Sequence, residues 1–179
     1  HPRAHLSPGY THLVEELRED LDKDKEGEID YFIAGIGSGT TLKGVGSWLK
    51  KYYPKIKLIA VEPSENPTVR PIKNRQLPKE SINNIPGAYQ LFGLGTNLPK
   101  EKLNLPLDLI DDILLVSNSN WQEAYNVIAR KENKPEVGRV SAATFFVAQQ
   151  IADKVTNKNI VALFSDPMWK FSEDYKSFK

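Results

Sequence analysis

Cysteine is absent from the 179 residues, which removes disulfide frameworks, thiolate nucleophiles and Cys-ligated zinc or iron–sulfur centres. No apolar run approaches the ~20 residues needed to span a bilayer, and the first ten residues, HPRAHLSPGY, lack the apolar stretch of a secretory signal. An excess of one charge is lacking too. Lys+Arg 24 against Asp+Glu 23 leaves a net charge of +1, and the lysines are scattered, so there is no electrostatic footprint for nucleic acid. Histidine is limited to His1, His5 and His12; His5 and His12 are spaced for neither a helical metal pair nor a nucleophile's base, so no metal site is expected. Repeats and low-complexity segments are missing as well. A cytoplasmic protein without nucleic-acid or membrane partners is expected. Because the chain starts at His1 and not at methionine, a processed or truncated piece of a longer protein is also expected.

What is present has the balance of a folded protein, 40% hydrophobic and 26% charged. The length suits one domain over 1–179, a size that buries roughly 70% of the surface of its unfolded chain. Leu13, Val14, Leu17 and Leu21 share a stripe that predicts an amphipathic helix over 10–21. The short apolar runs 29–35 and 56–62 predict buried strands, and Leu42, Val45, Trp48, Leu49 and Tyr52 predict a helix between them. That is a βαβ unit, whose product is two parallel strands joined by a crossover. Residues 63–106, rich in Pro, Gly and Asn, are longer than an ordinary connection and offer room for a ligand cleft or short elements. A third strand is predicted over 113–117, a helix to about Lys131 opened by a capping box of Asn120 and Glu123, a buried helix over 141–154 and a last strand over 159–164. The alternation predicts an α/β fold with a mainly parallel twisted sheet and helices on both faces.

The stretch Gly35-Ile36-Gly37-Ser38-Gly39-Thr40-Thr41-Leu42-Lys43-Gly44 carries the most chemistry. Glycines let the backbone turn sharply and approach a ligand, and the following helix points unpaired N–H groups outward, so the loop suits a phosphate. Ser38, Thr40 and Thr41 add hydroxyl donors. The helix-terminus field contributes ~0.3–1 kcal/mol, and up to ~2 kcal/mol when partly buried, so hydrogen bonds must do much of the holding. Three readings stand. The loop packs strand against helix; or Gly35-x-Gly37-x-x-Thr40 imitates a dinucleotide fingerprint, with Glu62 on a ribose hydroxyl; or the loop holds the phosphate of another cofactor. Thr40 departs from the dinucleotide pattern, where close packing calls for Gly or Ala.

The third reading gains from several motifs in order. The loop resembles G-x-G-S/T-G-G-T-L-x-G of the cysteine synthase and cystathionine β-synthase family of fold type II pyridoxal-phosphate enzymes, departing mainly at Thr40. Ala60-Val61-Glu62-Pro63 is similar to that family's A-V-E-P, and Ile85-Pro86-Gly87 to Gly93-Leu94-Gly95 resembles its I-x-G-I/L-G approach to the cofactor. Residues 107–113, 160–165 and even His1-Pro2-Arg3-Ala4-His5 resemble further family segments, so the likeness covers nearly the whole chain. It implies the C-terminal, larger-domain portion of such an enzyme. Its cofactor would be pyridoxal phosphate, held through Gly37, Ser38, Gly39 and Thr41, with Ser165 on the pyridine nitrogen and Gly93 and Gly95 on the substrate side. The implied reaction is β-replacement on a serine-derived amino acid with a sulfur nucleophile, in the transferase and lyase chemistry of cysteine biosynthesis. The implied partners are a small amino-acid substrate and a second copy of the chain or a lysine-bearing segment.

The departures matter equally. Gly138-Arg139-Val140-Ser141-Ala142 replaces the family's G-x-S-S-G, and Asp166-Pro167-Met168-Trp169-Lys170 replaces the segment after its serine. A slip of one residue would put Asp166 at the pyridine position. The Schiff-base lysine belongs to the family's N-terminal part and has no counterpart here, so the chain by itself is expected to be inactive. Lys43 is expected to face water, Asp111-Asp112 to form a solvated turn, and Trp48, Trp121 and Phe145-Phe146 to pack, with Trp169 at an interface. The alternatives are a Rossmann-like nucleotide-binding module, or a non-catalytic domain that binds phosphate or a partner.

Overall fold

A computed structural model describes residues 8–24, 27–76, 105–131 and 136–167. Its elements in chain order are α1 (Pro8–Asp24), β1 (Tyr31–Gly35), α2 (Thr40–Tyr52), β2 (Lys57–Pro63), α3 (Val69–Lys73), β3 (Asp112–Val116), α4 (Asn118–Lys131), α5 (Arg139–Ala152) and β4 (Ile160–Ala162). The strands form one sheet in the order β3-β2-β1-β4, every pair parallel. The α/β expectation therefore holds. Its element boundaries move by one to three residues.

The strand sequences read as unbroken apolar runs because both faces are covered. Phe32, Ala34, Leu58, Ala60 and Ile113 face one core, together with Leu42, Val45 and Leu49 of α2 and Val14 of α1. The alternate residues Ile33, Ile59, Val61 and Val116 face a second core, with Trp121, Ala124, Tyr125 and Ile128 of α4 and Val140, Ala143 and Val147 of α5. Trp121 and the partly buried Trp48, Phe145 and Phe146 pack as expected. Glycine sets how closely α2 approaches. A Cβ at Gly46 would lie 2.6 Å from Leu58 Cδ1, so α2 rests on β2 only where no side chain intervenes.

Two sequence expectations shift. Ser117, and not Asn120, caps α4: its hydroxyl accepts from the Asn120 N–H at 3.2 Å while Asn120 Oδ1 accepts from the Ser117 N–H at 3.2 Å. This is the reciprocal capping box three residues earlier than expected, with an amide side chain where Glu or Gln is usual. Asp111 is exposed, as a turn residue should be, yet its carboxylate accepts from the Leu58 N–H at 2.7 Å and pairs with Lys50 at 2.9 Å. The long connection after β2 contains the short helix α3, whose Lys73 donates to the carbonyls of Leu107 (3.0 Å) and Ile110 (2.6 Å). Lys73 thereby ties the two described ends of that connection together.

At the opposite margin of the sheet, Asp30 fastens β4 to β1. Its carboxylate accepts from Lys158 Nζ at 2.7 Å and the Asn159 N–H at 3.0 Å, while Asn159 O receives the N–H groups of Asp30 and Tyr31. The hydrogen bond from Lys158, reinforced by the Asn159 amide and the lysine charge and opposed by burial, holds the Asp30 carboxyl below its ordinary value of 3.8. A lowered folded-state value means that stabilisation is complete above the unfolded value and is lost as pH falls through the folded one. Asp30→Asn is expected to cost up to about 1 kcal/mol at neutral pH, solvent screening keeping it small. That difference should shrink below about pH 4 in urea unfolding measured across pH.

Candidate functional site

The helices α2 to α5 each present N-terminal amides that no preceding helical turn can satisfy. For three of them the chain itself provides acceptors. Glu62, wholly buried at the end of β2, accepts at Oε1 from the Thr68 N–H (2.6 Å), the Thr68 hydroxyl (2.9 Å) and the Val69 N–H (2.5 Å), and at Oε2 from the Arg70 N–H (3.0 Å). The carboxylate is spent on α3. The expectation that Glu62 could hold a ribose is overturned for this reason, and the nucleotide-binding alternative loses its specificity residue.

At α5 the same task falls to Asp166. Its carboxylate accepts from the Val140 N–H (3.1 Å), the Ser141 N–H (2.8 Å) and the Ser141 hydroxyl (2.6 Å), and the Asp166 N–H reaches Ser141 Oγ at 3.2 Å. Gly138 is needed here, since a Cβ on it would lie 2.7 Å from the Asp166 carbonyl oxygen. Asp166 is 8% exposed, and its carboxylate is turned into the fold onto the start of α5. Arg139 lies nearby with its guanidinium carbon 5.2 Å from the centre of the Trp121 ring. Burial draws its pKa below the ordinary value, and the Asp166 charge acts in the other direction. At α4 the Ser117–Asn120 box is joined by Glu65, which accepts from the Asn118 N–H at 2.7 Å.

Helix α2 is different. Its N-cap is Gly39, at φ +83°, which brings no side chain to the amides. The left-handed backbone turns the chain from β1 into the helix within the short segment 36–39, with Ile36 N–H still bonded to the Val61 carbonyl at 3.0 Å. Among the described residues, the N–H groups of Gly37, Ser38, Gly39 and Thr41 meet no main-chain acceptor. The hydroxyls are arranged in pairs: Ser38 Oγ lies 2.9 Å from Thr40 Oγ1, and Thr41 Oγ1 lies 3.2 Å from the Tyr10 hydroxyl of α1. The expected strand–turn–helix is what the fold contains. Lys43, expected to face water, is partly covered.

Ser165 emerges close by. Strand β4 runs beside β1 with Ala162 opposite Ile33, and the Leu163 N–H continues the ladder to the Ile33 carbonyl at 2.9 Å. Extending that register brings Ser165 level with Ile36 at the carboxyl edge of the sheet, and Ser165 is exposed. Carboxyl edges of parallel strands are where α/β folds bind ligands. Gly93, Gly95 and Trp169 lie outside the described residues. Two open depressions elsewhere, of about 540 Å³ along the exposed face of α4 and about 480 Å³ by the amino ends of β1, β2 and β3, include none of these residues.

Residues 4–166 match the model of the family described as pyridoxal-phosphate dependent enzyme. The chain belongs to that family. Among curated relatives it is 33% identical over 150 residues to cysteine synthase A of Escherichia coli (80% of this chain, 43% of the relative). It is 29% identical over 147 residues to cysteine synthase B of Campylobacter jejuni (82% and 44%). Among solved structures it resembles a hydrogen sulfide-producing enzyme of Fusobacterium nucleatum, with TM-score 0.71, 27% identity and coverage of 90% of this chain and 49% of that one. It also resembles an O-acetylserine dependent cystathionine beta-synthase of Helicobacter pylori, with TM-score 0.71, 26% identity and coverage of 92% and 47%. The chain thus spans a little under half the length of these relatives. The family's cofactor is pyridoxal phosphate, and the open amides of α2 with their paired hydroxyls fit its phosphate group.

Sequence inspection missed Tyr10 and the capping roles of Glu62 and Asp166. The carboxylates carried a signal in hindsight, an acid six residues before Thr68 and another 25 residues after Ser141, but only folding makes them neighbours. Replacing Glu62 by Gln puts an NH₂ group against N–H donors and is expected to cost about 3 kcal/mol in chemical denaturation. Glu65→Gln, at an exposed position, should cost under about 1 kcal/mol.

Proposed function

We propose that this chain is the cofactor-phosphate-holding part of a cysteine synthase-like enzyme. The reaction would be β-replacement on a serine-derived amino acid with a sulfur nucleophile. One observation carries the reading: of the helices α2 to α5, α2 alone has no carboxylate on its terminal amides, where only Ser38 Oγ reaches the Thr40 N–H, at 3.4 Å, and it is the helix that follows the family's phosphate motif.

Gly37, Ser38, Gly39 and Thr41 would hold the phosphate through main-chain N–H and hydroxyl groups. Ser165, at the same edge, would accept or donate a hydrogen bond at the pyridine nitrogen. A neutral hydroxyl there does not stabilise a protonated ring, which suits elimination and replacement at the substrate's β-carbon. Pyridoxal phosphate, when bound, supplies the electron sink for that chemistry. Gly93 and Gly95 would border the substrate amino acid. The covalent lysine would come from another segment of the enzyme or from a lysine-bearing partner chain, and the whole enzyme would assemble as a homodimer. Lys43 is badly placed for that role, because it sits one turn into α2 at the phosphate end. A cytoplasmic location accords with such an enzyme.

Two experiments test this. Borohydride reduction of the 179-residue chain with pyridoxal phosphate is expected to trap no stoichiometric lysine adduct, whereas joining the chain to an upstream segment that carries the lysine should restore both trapping and turnover. An adduct on Lys43, or β-replacement by the chain alone, would overturn the division of labour. Gly39→Ala forces a side chain into φ +83° and should cost about 1–2 kcal/mol of stability while weakening pyridoxal phosphate binding, read by thermal unfolding and equilibrium dialysis.

A further inference from the structure

The phosphate loop is not self-contained, because one of its hydroxyls is engaged by a residue 31 positions earlier. Tyr10 lies in the first turns of α1, and its ring rests on α2 at Gly44, where a Cβ would approach to 2.6 Å from Tyr10 Cδ2. That seat admits no side chain, so it fixes the ring, and the fixed ring holds the phenolic oxygen 3.2 Å from Thr41 Oγ1. Thr41 stands in the first turn of α2, where the terminal amides are open.

Two hydroxyls carry two hydrogens, and a single bond between them uses one. Either hydroxyl can donate across this distance; the phenol is the stronger acid and the better donor, and when it donates Thr41 Oγ1 accepts and keeps its own hydrogen. With one lone pair engaged, the Thr41 hydroxyl loses its freedom to rotate, and its remaining hydrogen is available to an anion at the helix terminus. Nothing in the glycine-rich motif announces this, since Tyr10 lies far outside it in sequence.

We infer that Tyr10 is a positioning residue for the phosphate site: acting through Thr41, it orients that side chain's hydroxyl toward the anion and raises the preference of the site for phosphorylated ligands. The inference rests on the reading of the loop as a phosphate site.

The test compares pyridoxal phosphate with pyridoxal, which lacks the phosphate, on the full 179-residue chain. Affinities are read from the amide shifts of Gly39 and Thr41 in nitrogen-15 correlation spectra, a signal independent of turnover. Tyr10→Phe keeps the ring on Gly44 and removes only the hydroxyl. It is expected to retain the folded spectrum and the affinity for pyridoxal, while the preference for pyridoxal phosphate falls about 3- to 5-fold, the scale of one hydrogen bond made indirectly. In a Thr41→Val background, Tyr10→Phe should have no further effect; in a Thr41→Ser background, which restores a hydroxyl, its effect should return.

A preference unchanged by Tyr10→Phe would overturn the inference while leaving the phosphate site in place. Independent, multiplying losses from Tyr10→Phe and Thr41→Val would also overturn it, since Tyr10 would then contact the ligand itself. A wild-type chain without any preference for the phosphorylated form would overturn the site and the inference together.

Discussion

Unpaired amides at helix N-termini are the constraint around which this molecule is arranged. A parallel sheet returns the chain through helices whose first N–H groups have no intrahelical acceptor, and burying them unpaired costs about 1–3 kcal/mol each. The chain meets this with acceptors brought from other places. Glu62 ends β2 and serves α3; Asp166 follows β4 and serves α5; Ser117, Asn120 and Glu65 serve α4. Each device also fixes a connection, since a carboxylate can serve a helix only if the loop that carries it is held in one path.

The buried acids are therefore architectural. Hydrogen bonds to a charged group contribute about 1.5–3 kcal/mol each, against ~0.3–1 kcal/mol for the helix field, so the directed bonds decide where these carboxylates lie. Their glycine partners follow from the same geometry: Gly138 allows the Asp166 backbone to come close, as Gly46 and Gly44 allow Leu58 and Tyr10 to meet α2. Among the described residues, carboxylates serve the starts of α3, α4 and α5, whereas the start of α2 has only Ser38 Oγ on the Thr40 N–H.

The two covered faces of the sheet place this opening at a rim. Helices α2 and α1 share one core with the sheet, and α4 and α5 share the other, so the carboxyl ends of β1 and β4 meet between layers. There the loop from Gly37 to Thr41 and the exposed Ser165 stand on adjacent strands. The chain spans under half of its relatives' length, and both this loop and Ser165 follow strands of its one described sheet.

Sequence by itself determined the layered α/β class, the parallel strands, the strand–turn–helix at Gly35–Gly44 and the family, because each depends on local periodicity or on glycines at fixed spacing. It misread the opening of α4, because Ser117 with Asn120 and Asn120 with Glu123 satisfy the same three-residue spacing, and the strand's end at Val116 chooses between them. It left Asp166 and Ser165 interchangeable and gave Glu62 a ligand to hold. Only the tertiary structure showed that both carboxylates serve helix ends, because a carboxylate looks the same in sequence whether it awaits a ligand or a helix end. Likewise Tyr10 joined the site only when α1 packed on Gly44, a contact between segments whose separation no local pattern encodes.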